Sequence, residues 1–372
     1  MSEYASRSQP LAAAAAGGIR YSSRPLRMPR TPTRKSSATN QADIARAAKV
    51  STATVSRVLN NSPLVREEVR ARVSRAMDRL GYFPHGAARA LVLKRSWTIG
   101  AVVPTLDSDI FARGINALMN RLRDNEYTLI VSSSDYSLET ETKLIRRLLE
   151  RGVDGIFLVG AERRPEALDL LKRSGKPFIN AYISGRSDAG PAIGFSNREA
   201  AAAIVDHLVG LGHRRIGMFA GITKGNDRAA ERLAGVRARL RHHGLKLDPA
   251  WTFELPYTVQ AARVAFGELV QAGHLPTAII CGNDILAMGV LFEAASRGVK
   301  IPRQLSLVGF DNHPMTEHVR PSLTTIDVPA DRMGELAADA LVAAIADGTP
   351  IRSVVLKAPL LVRGTTAEPR RD

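Results

Sequence analysis

The chain has 372 residues, 45% of them hydrophobic, and a formal net charge of +16, enough length for two or three well-buried cores. No apolar run approaches the length needed to cross a bilayer. The one cysteine, Cys281, excludes an internal disulfide framework and suits a reducing cytoplasm.

The charge is uneven along the chain. Residues 1–98 carry 18 Lys and Arg against 5 Asp and Glu, whereas residues 99–372 carry 34 against 31. A basic head in front of a near-neutral body points to a polyanionic partner at one end only. Residues 1–37 run through LAAAAAGGI (Leu11–Ile19) into the Pro- and Arg-rich SRPLRMPRTPTRK. The alanines are weakly apolar and basic residues follow directly, so this segment is expected to be a disordered basic extension rather than an export signal.

From Asn40 to about Tyr82 the pattern is helix, turn, helix, loop, helix. Asn40 can cap a first helix whose apolar stripe is Ile44, Ala45 and Ala48. Lys49-Val50-Ser51 is the turn, and Ser51 can cap a second helix from about Thr52 to Leu59. Val55 and Val58 point inward, which leaves Thr52, Ala53, Ser56 and Arg57 outside. Such a face can lie close in a DNA major groove, where Ala53 and threonine methyls suit thymine methyls and Arg57 suits guanine O6 and N7. A third helix, REEVRARVSRAMDRLGY, is expected to brace the pair through Val69, Val73, Met77 and Leu80.

Beyond Trp97, apolar runs alternate with amphipathic stretches. The predicted strands are IGAVVP, YTLIVS, GIFLV, PFINA, RIGMFAG, TAIICG and LSLVGFD, with helices such as REAAAAIVDHLVGLG and RAAERLAGVRARLRHHG between them. Regular alternation implies α/β architecture with parallel sheets, and this many strands suits two doubly wound subdomains better than one very wide sheet. The body has no GxxxxGK[ST] loop, no GxSxG elbow, no GxGxxG after its first strand and no histidine spacing typical of a metal site. No cofactor and no metal are expected, and Cys281 reads as a buried small hydrophobe. Polar residues do stand at strand C-termini, where open α/β sheets bind ligands: Asn283 and Asp284, Asp311 and Asn312, and the segment NDRAAER.

DIARAAKVSTATVSRVLN (Asp43–Asn60), followed by LGYFPHGAARAL, resembles the head of the LacI/GalR family of bacterial transcriptional regulators, and the likeness continues over residues 39–366. It implies a helix-turn-helix head at 38–83, a hinge and linker at 84–97, and an effector-binding body at 98–366 shaped like a periplasmic sugar-binding protein, with a short tail at 367–372. One subdomain is expected at about 98–193 and 328–349, the other at about 194–327 and 350–366. By position, Thr52, Ala53 and Arg57 match base-reading residues. Asn40, Ser51, Thr54, Ser56 and Asn60 match phosphate-contacting or capping positions, and Leu91 matches a leucine inserted at a central base step in the minor groove. Lys49 departs from the glycine usual at the turn, and Arg66 from the Ser-like cap usual on the third helix.

In the body, Arg232, Asn283 and Asp311 match ligand contacts, Ile110 and Phe111 match apolar walls, and Arg228 lies one helical turn before Arg232. Each polar group could instead be a cap or an ion-pair partner. Tyr182 replaces an acidic residue found in some sugar-binding members, and two arginines suggest a sugar acid or phosphorylated metabolite as well as a sugar. The resemblance implies a cytoplasmic homodimer that binds a pseudo-palindromic double-stranded operator under control of a small-molecule effector, with no membrane role, and by family default a repressor of a carbohydrate or sugar-acid utilisation operon. The alternatives are a solute-binding receptor, a cytosolic α/β enzyme acting on sugars, and a nonspecific DNA binder.

Overall fold

A computed structural model describes residues 39–59, 62–82, 95–185 and 188–370, and the chain divides into two compact units, residues 1–83 and 84–372. In the first unit the Asn40 side chain accepts from the Ala42 and Asp43 amides, and Asp43 returns the favour to the Asn40 amide at 3.0 Å. This capping box starts α1 (Gln41–Ala48). Lys49 ends the helix in the left-handed region, φ 53°. The Ser51 hydroxyl then accepts from the Thr54 amide at 3.1 Å and starts α2 (Thr52–Leu59). Ile44, Ala45 and Ala48 meet Val55 and Val58 in a small core closed by Val73 and Ala76 of α3 (Glu67–Leu80).

One expectation for α3 needs correction. Leu80 is exposed, and Ala76 takes its place in the core. The last turn of α3 still meets its partners, the Thr39 hydroxyl donating to the Leu80 carbonyl at 3.2 Å while Met77 and Tyr82 pack on the core, and these leave the Leu80 side chain outside. Arg66 occupies the N-cap position of α3 and makes no side-chain cap bond.

In the second unit seven of the strands are those predicted from the sequence. A six-stranded parallel sheet has the order β11-β5-β4-β3-β1-β2. Its strands are β1 (Thr98–Val103), β2 (Thr128–Ser133), β3 (Gly155–Val159), β4 (Phe178–Ala181), β5 (Ala192–Gly194) and β11 (Val354–Val355). The helices α4 (Asp109–Arg123), α5 (Leu138–Glu150), α6 (Pro165–Ser174) and α11 (Ala330–Asp347) go with this half, α11 packing on α4. A four-stranded parallel sheet has the order β7-β6-β8-β9. It comprises β6 (Ile216–Gly221), β7 (Thr252–Leu255), β8 (Ala278–Cys281) and β9 (Ser306–Val308), with α7 (Asn197–Gly210), α8 (Asp227–His242), α9 (Val259–Gln271) and α10 (Asp284–Ser296). Between the halves, β10 (Thr325–Ile326) and β12 (Leu360–Leu361) form a short antiparallel pair.

The body is therefore two doubly wound parallel-sheet subdomains. Residues 350–366 are not all in the second one. Val354 and Val355 pair with Ile193 and Gly194 at the edge of the first sheet, because the edge left open by the very short β5 gains a partner there. Within each sheet the strand order reverses, between β1 and β3 and between β6 and β8, and the polar loops follow the C-terminal ends of these strands.

Lys49 holds a conformation that costs a residue with a Cβ about 1–2 kcal/mol. Lys49→Gly should stabilise the helix pair by roughly 0.5–1 kcal/mol, since glycine gives back part of the gain as chain entropy. Slower amide exchange across α1 and α2 in the full-length chain would register it.

Candidate functional site

On the head, α2 leaves Ser51, Thr52, Ala53 and Arg57 exposed, with Thr54 and Ser56 half-buried. Ser51 and Thr54 are tied by a 2.9 Å hydroxyl contact in addition to the amide cap. Asn40 Oδ1 is engaged as the α1 cap, and the residue is exposed. Of the other residues predicted to meet DNA, Asn60 and Leu91 lie outside the described residues.

In the body, the loops after the strands of both sheets converge on one cleft. The loop after β1 and the start of α4 supply Ser108, Ile110 and Phe111, β2 is followed by Tyr136, and β4 by Tyr182. From the other half come Asn226, Arg228 and Arg232 at the start of α8, Tyr257 after β7, Asn283 after β8 and Asp311 after β9. All six residues singled out from the sequence are thus brought together. Ile110 and Phe111 form a wall: the Tyr182 hydroxyl donates to the Ile110 carbonyl at 2.8 Å, and the Phe111 and Tyr182 rings meet edge-on at 5.2 Å.

The backbone around this cleft is unusual. Eight described non-glycine residues have positive φ, and five of them, Asp135, Tyr136, Tyr182, Asp311 and Asn312, stand at its strand ends. Such conformations persist only where surroundings over-determine them, and they concentrate at binding sites. Asp311 (φ 112°) and Asn312 (φ 55°) show how. The Asp311 amide donates to Ile326, and the Asn312 side chain bridges Asp327 and Arg363. The buried Asp284 carboxylate accepts from the His313 amide and the Thr325 hydroxyl, both at 2.7 Å.

Charge in the cleft is nearly balanced. Arg232 donates to Asn197 Oδ1 at 2.8 Å and to the Gly282 carbonyl at 2.6 Å, lies 3.6 Å from Asp311 Oδ1, and stacks 3.7 Å above the Phe310 ring. Arg228 donates to Asp227 at 2.8 Å. Asp311 is buried, and its Oδ1 has no hydrogen-bond partner among the described residues. Burial lifts its carboxyl to about 6 despite the opposing pull of Arg232. Burial and the nearby Asp311 charge lift Asp284 further, to about 8. Burial also pushes the Tyr136 and Tyr257 phenols upward.

Asp227 crosses from one half to the other. It begins α8, yet its Oδ2 accepts from the Ala161 and Glu162 amides, at 2.6 and 3.2 Å, in the loop that follows β3. Gly160 leaves room for this contact, because a Cβ there would strike the Arg228 guanidinium. On the same loop Arg163 lies 3.1 Å from Glu141 in a second buried ion pair.

Sequence inspection missed Tyr136 and Tyr257, and it took in Asn226 and Asp227 only within the segment NDRAAER. Position just past the strand YTLIVS would have flagged Tyr136, whereas Tyr257 follows β7, which has no strand signature in the sequence, and nothing local marks Asp227 as a crossing residue. Asn283 is partly a cap, its side chain accepting from the Leu286 amide at 3.0 Å. Cys281 is fully buried, with its thiol pushed up by that burial. Among the described residues no group of His, Cys, Asp and Glu is placed to hold a metal, and no helix is long and apolar enough to cross a membrane.

A family model described as bacterial regulatory proteins, lacI family, matches residues 42–85, and one described as a periplasmic binding protein-like domain matches residues 205–366. The chain is 33% identical to catabolite control protein A of Priestia megaterium over 79% of this chain and 89% of that protein. It superposes on the crystal structure of a LacI-family transcriptional regulator from Silicibacter pomeroyi with a TM-score of 0.82 at 25% identity, covering 89% of this chain and 100% of the other. The lac repressor dimer bound to operator and the anti-inducer ONPF matches with a TM-score of 0.78 at 25% identity, over 88% and 99% of the two chains. The relatives are transcriptional regulators, not enzymes.

Two measurements probe the cleft. Asp227→Ala leaves two amides and a guanidinium without their partner, so it should cost the body on the order of 2 kcal/mol and speed exchange of the Ala161 and Glu162 amides. Asp311 and Asp284 ionise near 6 and 8 when folded, above the unfolded value of about 4. The native state therefore holds extra protons between pH 4 and 8, and stability from these groups falls as pH rises through that window. Urea unfolding across pH 5–9 should show Asp284→Asn removing the upper part of the decline.

Proposed function

This chain belongs to the LacI family of bacterial regulatory proteins, and from that membership we propose a cytoplasmic repressor that binds a pseudo-palindromic operator as a homodimer and releases or gains it when a small molecule enters the cleft. The observation that carries this reading is the outer face of α2. A helix sealed underneath by Val55 and Val58 presents Thr52, Ala53 and Arg57 to solvent, the small and bidentate groups that read major-groove edges. Ser51, Thr54, Ser56, Asn40 and Asn60 would hold the flanking phosphates or the helix ends that meet them. Leu91 would wedge the central base step.

The target is proposed as an operon for carbohydrate use, with a neutral sugar or related polyol as effector. Arg228 and Arg232 are each matched by a buried carboxylate, so the cleft carries little excess positive charge to hold a sugar acid. The supporting relatives include the lac repressor, solved with an operator and an anti-inducer together. Effector-linked changes in operator affinity are typically worth about 1–3 kcal/mol.

Footprinting upstream of the chain's own gene, with and without a panel of sugars, tests both halves of the proposal. A protected palindrome whose occupancy moves with one compound supports it; no specific protection sinks it. Arg57→Ala should lose about 1–3 kcal/mol of discrimination at a single base pair per half-site and relax preference there, seen in competition binding against operator variants. Raising salt should weaken both proteins alike.

A further inference from the structure

The chain enters the body at the end of the first sheet opposite the cleft, and a buried carboxylate meets it there. Asp154 stands immediately before β3, its side chain 2% exposed. Its Oδ1 and Oδ2 both accept from the Ser96 amide at 3.0 Å, and Oδ2 also accepts from the Trp97 amide at 2.8 Å. The Asp154 amide donates in turn to the Thr98 carbonyl at 2.8 Å. Lys176, from the loop before β4, lies 3.8 Å from Oδ1. Ser96 and Trp97 precede β1 and belong to no strand, so a buried charge is committed to holding the approach to the sheet. Trp97 adds a second sign of constraint. Its φ is 54°, a rare conformation for a bulky side chain that persists only where the surroundings impose it. The Trp97 carbonyl accepts from the Thr128 amide at 2.8 Å, its ring meets Tyr127 at 5.2 Å, and the Arg95 guanidinium lies 4.9 Å over that ring. Among the described residues the buried Ser96 hydroxyl and Trp97 indole N–H have no hydrogen-bond partner. The polar attachment of this stretch therefore runs through its backbone, and Asp154 takes both amides.

We propose that Asp154 is a positioning residue for operator recognition: it fixes the path on which the segment joining head and body leaves the first sheet. The proposal rests on the operator reading above and assigns a part in it to a residue that lies neither on α2 nor on the cleft wall. Two heads that read half-sites about 34–36 Å apart help each other only if the first to bind holds the second near its own site. A root clamped at Ser96 and Trp97 narrows the range of positions each head can take. A root free to swivel widens that range and dilutes the second head. Binding to random duplex draws on the charge of the heads and needs no such spacing. Loss of the clamp therefore lowers preference for the operator and hardly touches affinity for DNA in general.

The test titrates the full-length chain and its Asp154→Ala and Asp154→Asn variants, at one salt concentration, with the palindrome protected upstream of the chain's own gene and with random duplex of the same length. Asp154→Ala should cut the ratio of the two affinities by at least about tenfold. Its affinity for random duplex should stay within about twofold of the unaltered chain. Asp154→Asn keeps one oxygen for the two amides and should restore part of the ratio, and it keeps the result readable if the alanine variant folds poorly. Exchange of the Ser96 and Trp97 amides should quicken in the same order, alanine before asparagine, with the amides inside β1 and β3 unaltered. A ratio unchanged in both variants, or a parallel loss on both duplexes, overturns the positioning role while leaving the operator reading intact. If the unaltered chain protects no palindrome, or shows no preference for it, the operator reading itself fails and the inference with it.

Discussion

One buried carboxylate sets the geometry of the body. Asp227 belongs to the second subdomain by sequence and to the first by hydrogen bonding. By closing on the loop after β3 it joins the halves beside the cleft. By pairing with Arg228 it also removes one of the two charges that an anionic ligand would seek. The charge of the cleft is balanced because Asp311 stands against Arg232 as Asp227 stands against Arg228.

Much of the fold was legible in the sequence, for a simple reason. The buried parallel strands are continuous apolar runs, such as GIFLV and TAIIC, bounded by turns and separated by helical stretches. The strands that escaped notice have no such signature. β5 is three residues, Ala-Ile-Gly, and β7 is TFEL, with an exposed glutamate inside it. β10, β11 and β12 are two-residue strands whose existence depends on partners far away in sequence. The placement of β11 on the first sheet could not be read locally, since only its register with Ile193 and Gly194 assigns it.

The cleft was legible as a position more than as a mechanism. Polar residues after strands marked Asn283 and Asp311, and the likeness to the family marked Arg232, Ile110 and Phe111. What each group does depends on its neighbours, which sequence spacing does not supply. Arg232 is held by Asn197 and a carbonyl, Asn283 is half a helix cap, and the strained backbone at Asp311 and Asn312 is secured by Ile326, Asp327 and Arg363. In the head the reverse holds. Its helices are short and locally capped, so Asn40, Ser51 and the valines of α2 could be placed from spacing alone. Only the exposure of Leu80 went unseen, because it depends on how Met77 and Tyr82 close the end of the core.

The edge strand β11 has a consequence for how the protein is made. The first subdomain begins at Thr98 but gains its α11 cover and its last strand only at residues 330–355. During synthesis, at about 5–20 residues per second, the ribosome must deliver nearly the whole chain before that sheet can close. The second subdomain, threaded between, has all four strands available sooner, and a transcript truncated after Ile326 would yield one sheet nearly whole and the other bare on one face. At that rate residues 330–355 take about 1–5 s to emerge, and the half that was begun first waits on them.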